Sequence, residues 1–267
     1  KSFQKFGWTA VFADTDDPES FRRAVCEKTR AIFIENLANP GGIVADLEAI
    51  IKIANEAGVP LVVDNTLATP FLSQPLEWGA DLVVHSTTKY LSGQGNALGG
   101  VVIDSGKFPW LGNSKYPSLS APSAEYNGLT FAETFGDLAY TMYSHAVSLR
   151  DLGCTQSPMN AWITLNGIET LPLRMERHCS NGLAVAEFLE KHQNVEWVSH
   201  AGLESSPYYK LGKKYFPNGT GSLFAFGVKG GYESGLKLLE SVELFSHVAN
   251  IGDTRSLILH PASTTHR

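Results

Sequence analysis

The chain has 267 residues, 43% of them hydrophobic and 18% charged, with no low-complexity tract, a composition typical of a globular protein with one large domain or two. Its net charge is −6, because 27 acidic residues outnumber 21 Lys and Arg, and no basic block occurs, which argues against nucleic acid or an anionic membrane as the main partner. Three widely spaced cysteines (Cys26, Cys154 and Cys179), no signal-peptide pattern and no membrane-length apolar stretch predict a cytoplasmic protein with buried thiols.

Strand and helix patterns alternate through the first hundred residues. Strands are predicted over 8–14, 30–37, 59–65 and 81–86, and helices over 17–29 and 46–58. Pro18 suits the first turn of the first helix, and Gly58 ends the second. Because Val, Ile and Leu run continuously through the strands and helices separate them, we predict a parallel sheet covered on both faces.

The rest of the chain divides into three stretches. Residues 104–145 are irregular, aromatic and rich in Ser, Pro and Gly, which predicts loops with some helix. A helical section follows from about 146 and includes 160–192, with a bend or restart at Pro172. A smaller α/β unit is predicted after it, with a domain change between 145 and 180. Its strands are expected over 195–203, 222–228 and 257–262, its helix over 231–242, and a solvated turn over 210–215.

Polar residues follow three strands of the predicted sheet. In such sheets ligands bind outside the carboxyl ends of the strands, so these residues are expected along one rim with one carboxylate and one amine. The first strand contributes Glu35, Asn36 and Asn39, the second Asp64, Asn65 and Thr66, and the third Ser86, Thr87, Thr88 and Lys89.

Lys89 has the most specific chemistry at this rim. A charged ammonium at the end of a buried strand must be paired, solvated or neutralised, and a desolvated lysine can form a Schiff base with an aldehyde. Pyridoxal 5'-phosphate (PLP) is an aldehyde cofactor that also requires donors for its phosphate and a carboxylate for its pyridine nitrogen. Ser86 and Thr88 are candidates for the phosphate, Asp64 for the ring nitrogen and Asn39 for the phenolic oxygen.

Each candidate also has a simpler interpretation. Taken alone, Lys89 is a surface lysine in a glycine-rich loop, and Asp64 and Asn39 are turn residues. Ser86 and Thr88 could cap a following helix. Only their conjunction on consecutive strands favours a cofactor site.

The glycines between Gly93 and Gly100 begin like a dinucleotide-binding fingerprint. Their spacing departs from it at the third glycine, and the segment does not follow the first strand of a βαβ unit. We therefore expect tight backbone packing beside a cofactor to explain these glycines.

Four segments carry a resemblance to a known family: ENLANPGG, VVDNTLATPFLSQPLEWGADLVVHSTTKYLSGQGNALGGVVID, SPMNAWITLNGIETLPLRMERHC and GDTRSLILHPASTTH. They resemble the Cys/Met-metabolism family of PLP-dependent enzymes along nearly the whole chain. The resemblance implies an α/β fold of PLP-dependent transferase fold type I (aspartate aminotransferase-like), with a mostly parallel sheet, flanking helices and a smaller C-terminal α/β domain. It implies a PLP-binding large domain over 1–175 and the C-terminal domain over 176–267.

Carried over by position, the resemblance implies a role for each candidate. Lys89 is implied as the Schiff-base lysine, Asp64 as the partner of the pyridine nitrogen, and Ser86 and Thr88 as phosphate ligands, with Asn39 near the ring oxygen. It adds two residues that the chemistry alone did not suggest. Thr66 would lie against the ring, and Asn250 near the substrate carboxylate.

Within the family, the segments GGVVIDSGKFPW, KKYFPNGTGSLFAFGVKGGYESG and HPASTTHR resemble O-acetylhomoserine sulfhydrylases. This implies γ-replacement on O-acetyl-L-homoserine with sulfide or a thiol, giving L-homocysteine or methionine and acetate, in a homotetramer with shared active sites. Cystathionine γ-synthase, methionine γ-lyase and cystathionine γ-lyase are alternatives in the same family. A catalytically silent PLP-binding protein and a dinucleotide-binding oxidoreductase are alternatives from other classes.

Members of this family are considerably longer than this chain, so we expect it to be incomplete at both ends. The resemblance implies a preceding segment that reaches the neighbouring subunit's site and contains a Gly-rich phosphate loop. It also implies a following arginine that binds the substrate carboxylate, and Arg255 is not that arginine by position. We expect no competent enzyme from this chain alone.

Overall fold

The computed structural model describes residues 2–264 as an α/β protein. The strands are β1 (Ile32–Glu35), β2 (Leu37–Ala38), β3 (Ile43–Val44), β4 (Leu61–Asp64), β5 (Leu82–Ser86), β6 (Gly100–Asp104), β7 (Val195–Ser199), β8 (Ala225–Val228), β9 (Ser246–His247) and β10 (Leu257–Ile258). The helices are α1 (Pro18–Ala24), α2 (Leu47–Ala57), α3 (Thr69–Leu72), α4 (Pro75–Trp78), α5 (Pro117–Ser120), α6 (Phe131–Phe135), α7 (Ala139–Tyr143), α8 (Pro158–Glu169), α9 (Leu171–Glu190), α10 (Tyr209–Tyr215) and α11 (Gly231–Ser241). Shorter or wider helical turns cover Ser2–Phe6, Thr87–Leu91, Ala124–Tyr126, Gly136–Leu138, Ser144–Asp151 and Pro261–Ser263.

The largest sheet has the strand order β1-β4-β5-β6. β1, β4 and β5 are parallel, and β6 runs antiparallel to β5, so the mostly parallel sheet is confirmed. The register sets Glu35 beside Asp64 and Asp64 beside Val84. The carboxyl ends of the three parallel strands therefore meet at one edge. β6 was not predicted. It directly follows the glycine-rich segment and is defined by its antiparallel pairing with β5.

Helix α2 forms where it was predicted because its sequence encodes both ends. The Asp46 carboxylate accepts a hydrogen bond from the Ala49 N–H at 3.4 Å, and Gly58 closes the helix with a φ of +60°. The buried face of the helix joins the main hydrophobic core, which includes Leu47, Ile50 and Ile53. Each such side chain stabilises the fold by about 1.5–3 kcal/mol through burial.

The prediction of a strand over residues 8–14 is wrong, and the helix after it is shorter than predicted. Residues 8–14 form no strand, and their large apolar side chains are exposed, Phe12 to 88%. An extended segment becomes a strand only by pairing with a neighbour, and no strand in residues 2–264 pairs with this one. α1 ends at Ala24, since Val25 has extended backbone angles.

The two long helices meet at the predicted break. α8 ends at Glu169 and α9 begins at Leu171, with Pro172 in its first turn, so the restart is confirmed. α9 crosses the proposed boundary at 175/176, which stays a prediction. Strands in the predicted regions 195–203, 222–228 and 257–262 are found as β7, β8 and β10, and the helix over 231–242 as α11.

The turn predicted over 210–215 is wrong, because these residues belong to α10. Tyr215 is buried, and its hydroxyl donates to the Asp46 Oδ1 at 2.5 Å while accepting from the Glu48 N–H at 3.2 Å. Lys214 pairs with Glu48 at 2.7 Å. These contacts tie a basic surface segment to the start of α2, over 160 residues earlier, so local composition could not reveal them.

Two of the three cysteines also differ from expectation. Cys179 is buried, but Cys26 and Cys154 are exposed, and all three are free thiols. The error follows from treating each cysteine as a small hydrophobe, whereas Cys26 and Cys154 lie in exposed segments outside the helices and strands. No helix in the described part of the chain is both long and apolar enough to cross a membrane.

Candidate active site

A hydrogen-bonded chain of polar groups lies at the carboxyl ends of β4 and β5. The Thr66 N–H donates to Asp64 Oδ1 at 2.9 Å, and the Ser86 N–H donates to Thr66 Oγ1 at 2.9 Å. Asp64 is half-buried, and no group in residues 2–264 donates a hydrogen bond to its Oδ2. The carboxylate is thus oriented through one oxygen and keeps the other for a ligand donor.

Lys89 lies in the turn that continues β5 and leaves helical geometry at its own backbone (φ −93°, ψ −127°). Its half-buried Nζ donates to Asn250 Oδ1 at 2.7 Å, across 161 positions of sequence. No carboxylate in residues 2–264 forms an ion pair with it. The amine is therefore oriented by a neutral amide and not by a counter-ion.

Ser86 and Thr88 differ in how far their hydroxyls are already engaged. Thr88 Oγ1 accepts from the Gly99 N–H at 3.2 Å and donates to the Gly99 carbonyl at 3.4 Å. The Ser86 hydroxyl makes no hydrogen bond with any residue in 2–264. Ser86 is thus free to bind an anion, whereas Thr88 would have to exchange a partner.

Asn39 lies at the same end of the sheet but stands apart from the other candidates. Its N–H donates to Glu35 Oε2 at 3.1 Å, and within the described chain no hydrogen bond joins its side chain to Lys89 or Asp64. The expectation of a single carboxylate at this rim is wrong, because Glu35 is a second one beside Asp64. Burial and, less strongly, the nearby Asp64 charge raise the pKa of Glu35, although the Asn39 N–H opposes this.

Two glycines lie close to the amine site, Gly95 in the glycine-rich segment after Lys89 and Gly252 two residues after Asn250. That the glycines of the first segment pack beside a cofactor stays a prediction. Gly95 has a φ of +63°, and a Cβ there would lie 2.7 Å from Asn250 Nδ2. Gly252 has a φ of +76°, and a Cβ there would lie 2.4 Å from the Tyr90 nitrogen. Larger residues at either position would displace Asn250 or the Lys89–Tyr90 peptide.

Comparison with known proteins identifies the family. The model of the Cys/Met metabolism PLP-dependent enzyme family matches residues 1–267. The chain belongs to this family.

Solved and curated family members resemble the chain over nearly all of its length. It is 48% identical to the O-acetyl-L-homoserine sulfhydrylase of Leptospira meyeri and 45% identical to the homocysteine synthase of Schizosaccharomyces pombe, over 100% and 98% of this chain and 62% of each relative. The structure of an O-acetylhomoserine (thiol)-lyase from Campylobacter jejuni, solved with a pyridoxyl-lysine monophosphate residue, superimposes with a TM-score of 0.95 at 40% identity, covering 99% of this chain and 63% of that one. These matches confirm the α/β fold class, and the chain spans less than two thirds of each relative's length.

The residues present fit PLP, the cofactor of this family. Within residues 2–264, Lys89 supplies an amine without a counter-ion, Asp64 a carboxylate with one oxygen free of hydrogen bonds, and Ser86 a hydroxyl without a hydrogen-bond partner. These are the groups that an aldehyde, a pyridine nitrogen and a phosphate require. The geometry thus brings Lys89 together with Asn250, and Asp64 with Thr66 and Ser86.

Asn36 and Asn65 were expected among the polar residues of the rim, but they form a buried network of amide hydrogen bonds. Asn36 and Asn65 are fully buried, and Asn36 Nδ2 donates to Asn65 Oδ1 at 2.7 Å, while Asn65 Nδ2 donates to the Ser73 carbonyl at 2.9 Å. The same network receives the Leu37 N–H at Asn36 Oδ1, 2.9 Å away. Their position after buried strands is the only sequence signal, and it does not distinguish packing from ligand binding.

Proposed function

We propose that the complete protein catalyses γ-replacement on O-acetyl-L-homoserine, with sulfide as nucleophile, to give L-homocysteine and acetate. The observation that carries the proposal is the Lys89 amine, which follows β5 and is held 2.7 Å from the neutral amide of Asn250, while Asp64 ends the neighbouring strand β4. Support for the substrate comes from relatives at 45–48% identity that are named for this chemistry.

In this proposal the rim residues hold the cofactor. When bound, PLP supplies an electron sink for negative charge at the substrate α-carbon. Asp64 would keep the pyridine nitrogen protonated, and Ser86 and Thr88 would donate hydrogen bonds to the phosphate. Thr66 would lie against the ring, and Asn39 would donate to its phenolic oxygen.

Lys89 Nζ moves the protons of the reaction. Once the substrate amino group has released it from the cofactor, the amine takes the α-proton, since it stands next to that carbon. Loss of a β-proton then permits acetate to leave from the γ-carbon, and sulfide forms the new C–S bond there. Lys89 returns protons to the carbon skeleton, so that the overall change exchanges acetate for sulfide.

Asn250 has two successive partners in this scheme. Before substrate binds, its Oδ1 accepts from Lys89 Nζ, which holds the amine without an ion pair. When substrate is bound, its amide is available to the substrate carboxylate. An amide suits both partners, because it carries an acceptor and two donors.

Replacing Lys89 by Ala tests the proposal. We expect homocysteine formation to fall by at least about 10³-fold, because the nucleophilic amine and the proton carrier are lost together, and the visible band of the lysine-bound cofactor to vanish. The exposed Lys107 serves as the matched control, and Lys107→Ala should match the wild type. Appreciable turnover by Lys89→Ala would overturn the assignment.

A product assay separates this function from the alternatives. Homocysteine from O-acetylhomoserine and sulfide supports the proposal, whereas cystathionine from a cysteine nucleophile indicates a cystathionine γ-synthase. A 2-oxo acid and ammonia from methionine or cystathionine indicate a γ-lyase. Cofactor binding without any product would indicate a silent PLP-binding protein.

We also propose that the complete protein is a cytoplasmic homotetramer. Free thiols suit a reducing compartment. Helix α8 exposes Met159, Trp162 and Leu165 to 63%, 62% and 62%, an apolar row that a second copy would cover. Light scattering after gel filtration measures the assembly, and a monomeric active enzyme would refute it.

A further inference from the structure

The peptide that follows Lys89 is held from outside the rim by helix α9. Arg174 donates from one terminal nitrogen to the Tyr90 carbonyl at 2.8 Å, and from the other to the Gly167 carbonyl at 2.6 Å and the Leu91 carbonyl at 3.5 Å. Its Nε donates to Thr170 Oγ1 at 3.1 Å. One guanidinium thus joins the lysine turn to the junction of α8 and α9.

This use of arginine is unusual for a half-buried charge. No carboxylate in the described residues forms an ion pair with Arg174, and burial lowers its pKa. A charge without a counter-ion costs free energy when it is desolvated. The compensation here is geometric, because the planar fork reaches three main-chain carbonyls that a single ammonium could not reach together.

The residue one turn further along α9 contacts the side chain of Tyr90, whose carbonyl Arg174 binds. His178 meets the ring of Tyr90 edge to face at 5.3 Å between centroids. Tyr90 is buried, and its hydroxyl is 3.0 Å from Ser222 Oγ. Residues four apart share one face of a helix. Arg174 and His178 therefore contact Tyr90, the residue immediately after Lys89, from the same face of α9.

Close glycine contacts leave this peptide little room to move. A Cβ at Gly167 of α8 would lie 2.3 Å from the Leu91 carbonyl oxygen, and one at Gly93 would lie 2.8 Å from the Arg174 guanidinium. Helix α8 therefore approaches the turn by main-chain contact, and α9 approaches it through the Arg174 guanidinium. A shift of the turn would have to displace one of these neighbours, so the position of Lys89 depends on both helices.

We propose that Arg174 is a positioning residue for Lys89, acting by fixing the carbonyls of Tyr90 and Leu91. Its hydrogen bonds within residues 2–264 go to three main-chain carbonyls and to Thr170, so it is proposed to act through the lysine turn and not on the reacting atoms. The inference rests on the proposed role of Lys89, because positioning matters only if that amine reacts. Displacing a reacting group by about 1 Å can cost on the order of 10²-fold in rate.

The test compares Arg174→Met, Arg174→Lys and the control Arg177→Met in the complete protein loaded with PLP. Arg177 is exposed on the same helix, and its side chain makes no hydrogen bond within residues 2–264. We expect kcat to fall about 10- to 100-fold in both Arg174 variants, while KM stays within about threefold. The apo-forms should capture PLP more slowly, as followed by the appearance of the visible band, and exchange the amide hydrogens of residues 89–93 faster. Arg177→Met should match the wild type in all four measurements.

Chemical rescue separates positioning from general stability. Guanidinium ion at millimolar concentration should restore part of the lost kcat to Arg174→Ala but nothing to Lys89→Ala. Unchanged kcat and capture rate in the Arg174 variants, with only a lower Tm, would overturn the inference. Turnover by Lys89→Ala in the same series would instead overturn the proposed function, so the two failures are distinguishable.

Discussion

Gly252 offers the sharpest test of how closely the fold controls Lys89. A Cβ at this position would lie 2.4 Å from the Tyr90 nitrogen and 2.7 Å from the Lys89 carbonyl carbon, whereas ordinary contacts begin at 3.4 Å. In Gly252→Ala the peptide must therefore give way by about 1 Å. A misplacement of that size is expected to lower kcat about 10²-fold, or about 2.7 kcal/mol of activation free energy.

Gly58→Ala is the matched control for this substitution. Gly58 has a similar φ of +60°, but nothing lies within 4 Å of its Cβ position, and it caps α2 away from the rim. Both variants pay about 1–2 kcal/mol for a left-handed alanine, which is about 2–4 °C in Tm per kcal/mol. Only Gly252→Ala should also lose activity.

The assay is homocysteine formation from O-acetylhomoserine and sulfide by the complete protein, with Tm measured in parallel. The Gly252→Ala enzyme should also show a weaker band of lysine-bound cofactor. Wild-type kcat in Gly252→Ala, with a Tm loss equal to that of Gly58→Ala, would refute the reasoning, because the clash would then have been relieved without moving Lys89.

Two further predictions concern Asn250 and a buried carboxylate. Gly95→Ala and Asn250→Ala should each raise KM about tenfold, because both remove the interaction of the Asn250 amide with the substrate. The double variant should raise KM no more than either single variant. Additive effects on KM would show that Gly95 does not act through Asn250. Burial raises the pKa of Asp81, although its carboxylate accepts from the Leu61 N–H at 2.8 Å. The protonated form is therefore favoured by folding, and the associated stability is lost as pH rises through the folded pKa. Asp81→Asn should therefore raise Tm at pH 7 and leave it unchanged near pH 3. The control Asp137→Asn, at an exposed position, should leave Tm unchanged at both pH values. Equal Tm differences for Asp81→Asn at pH 3 and pH 7 would contradict the raised pKa of Asp81.

The candidate site could be predicted largely from the ends of strands. Hydrophobic runs predict β4 and β5, and because parallel strands place their following residues at one edge, the sequence alone predicts Asp64, Ser86 and Lys89 at the same rim. This worked because each strand and its polar successor are local in sequence.

Some helix ends were also predicted correctly from local sequence, whereas one strand was predicted wrongly. Asp46, Gly58 and Pro172 marked the ends of α2 and the restart at α9, because capping and proline effects act within a few residues. The apolar run over 8–14 carried a strand pattern as clear as that of β4. It forms no strand, since pairing depends on a neighbour that its own sequence cannot specify.

What holds Lys89 was decided only by the tertiary structure. Its amine meets Asn250 across 161 positions, and the carbonyl after it meets Arg174 across 84. The family resemblance suggested Asn250 only as a substrate ligand, and Arg174 carried no signal beyond a polar position on a helix. The sequence by itself determined β4, β5, α2 and the restart at α9, and which polar groups follow the two strands. Only the folded chain determined which distant helix and loop meet the lysine, because those contacts depend on how whole elements pack and not on any local pattern.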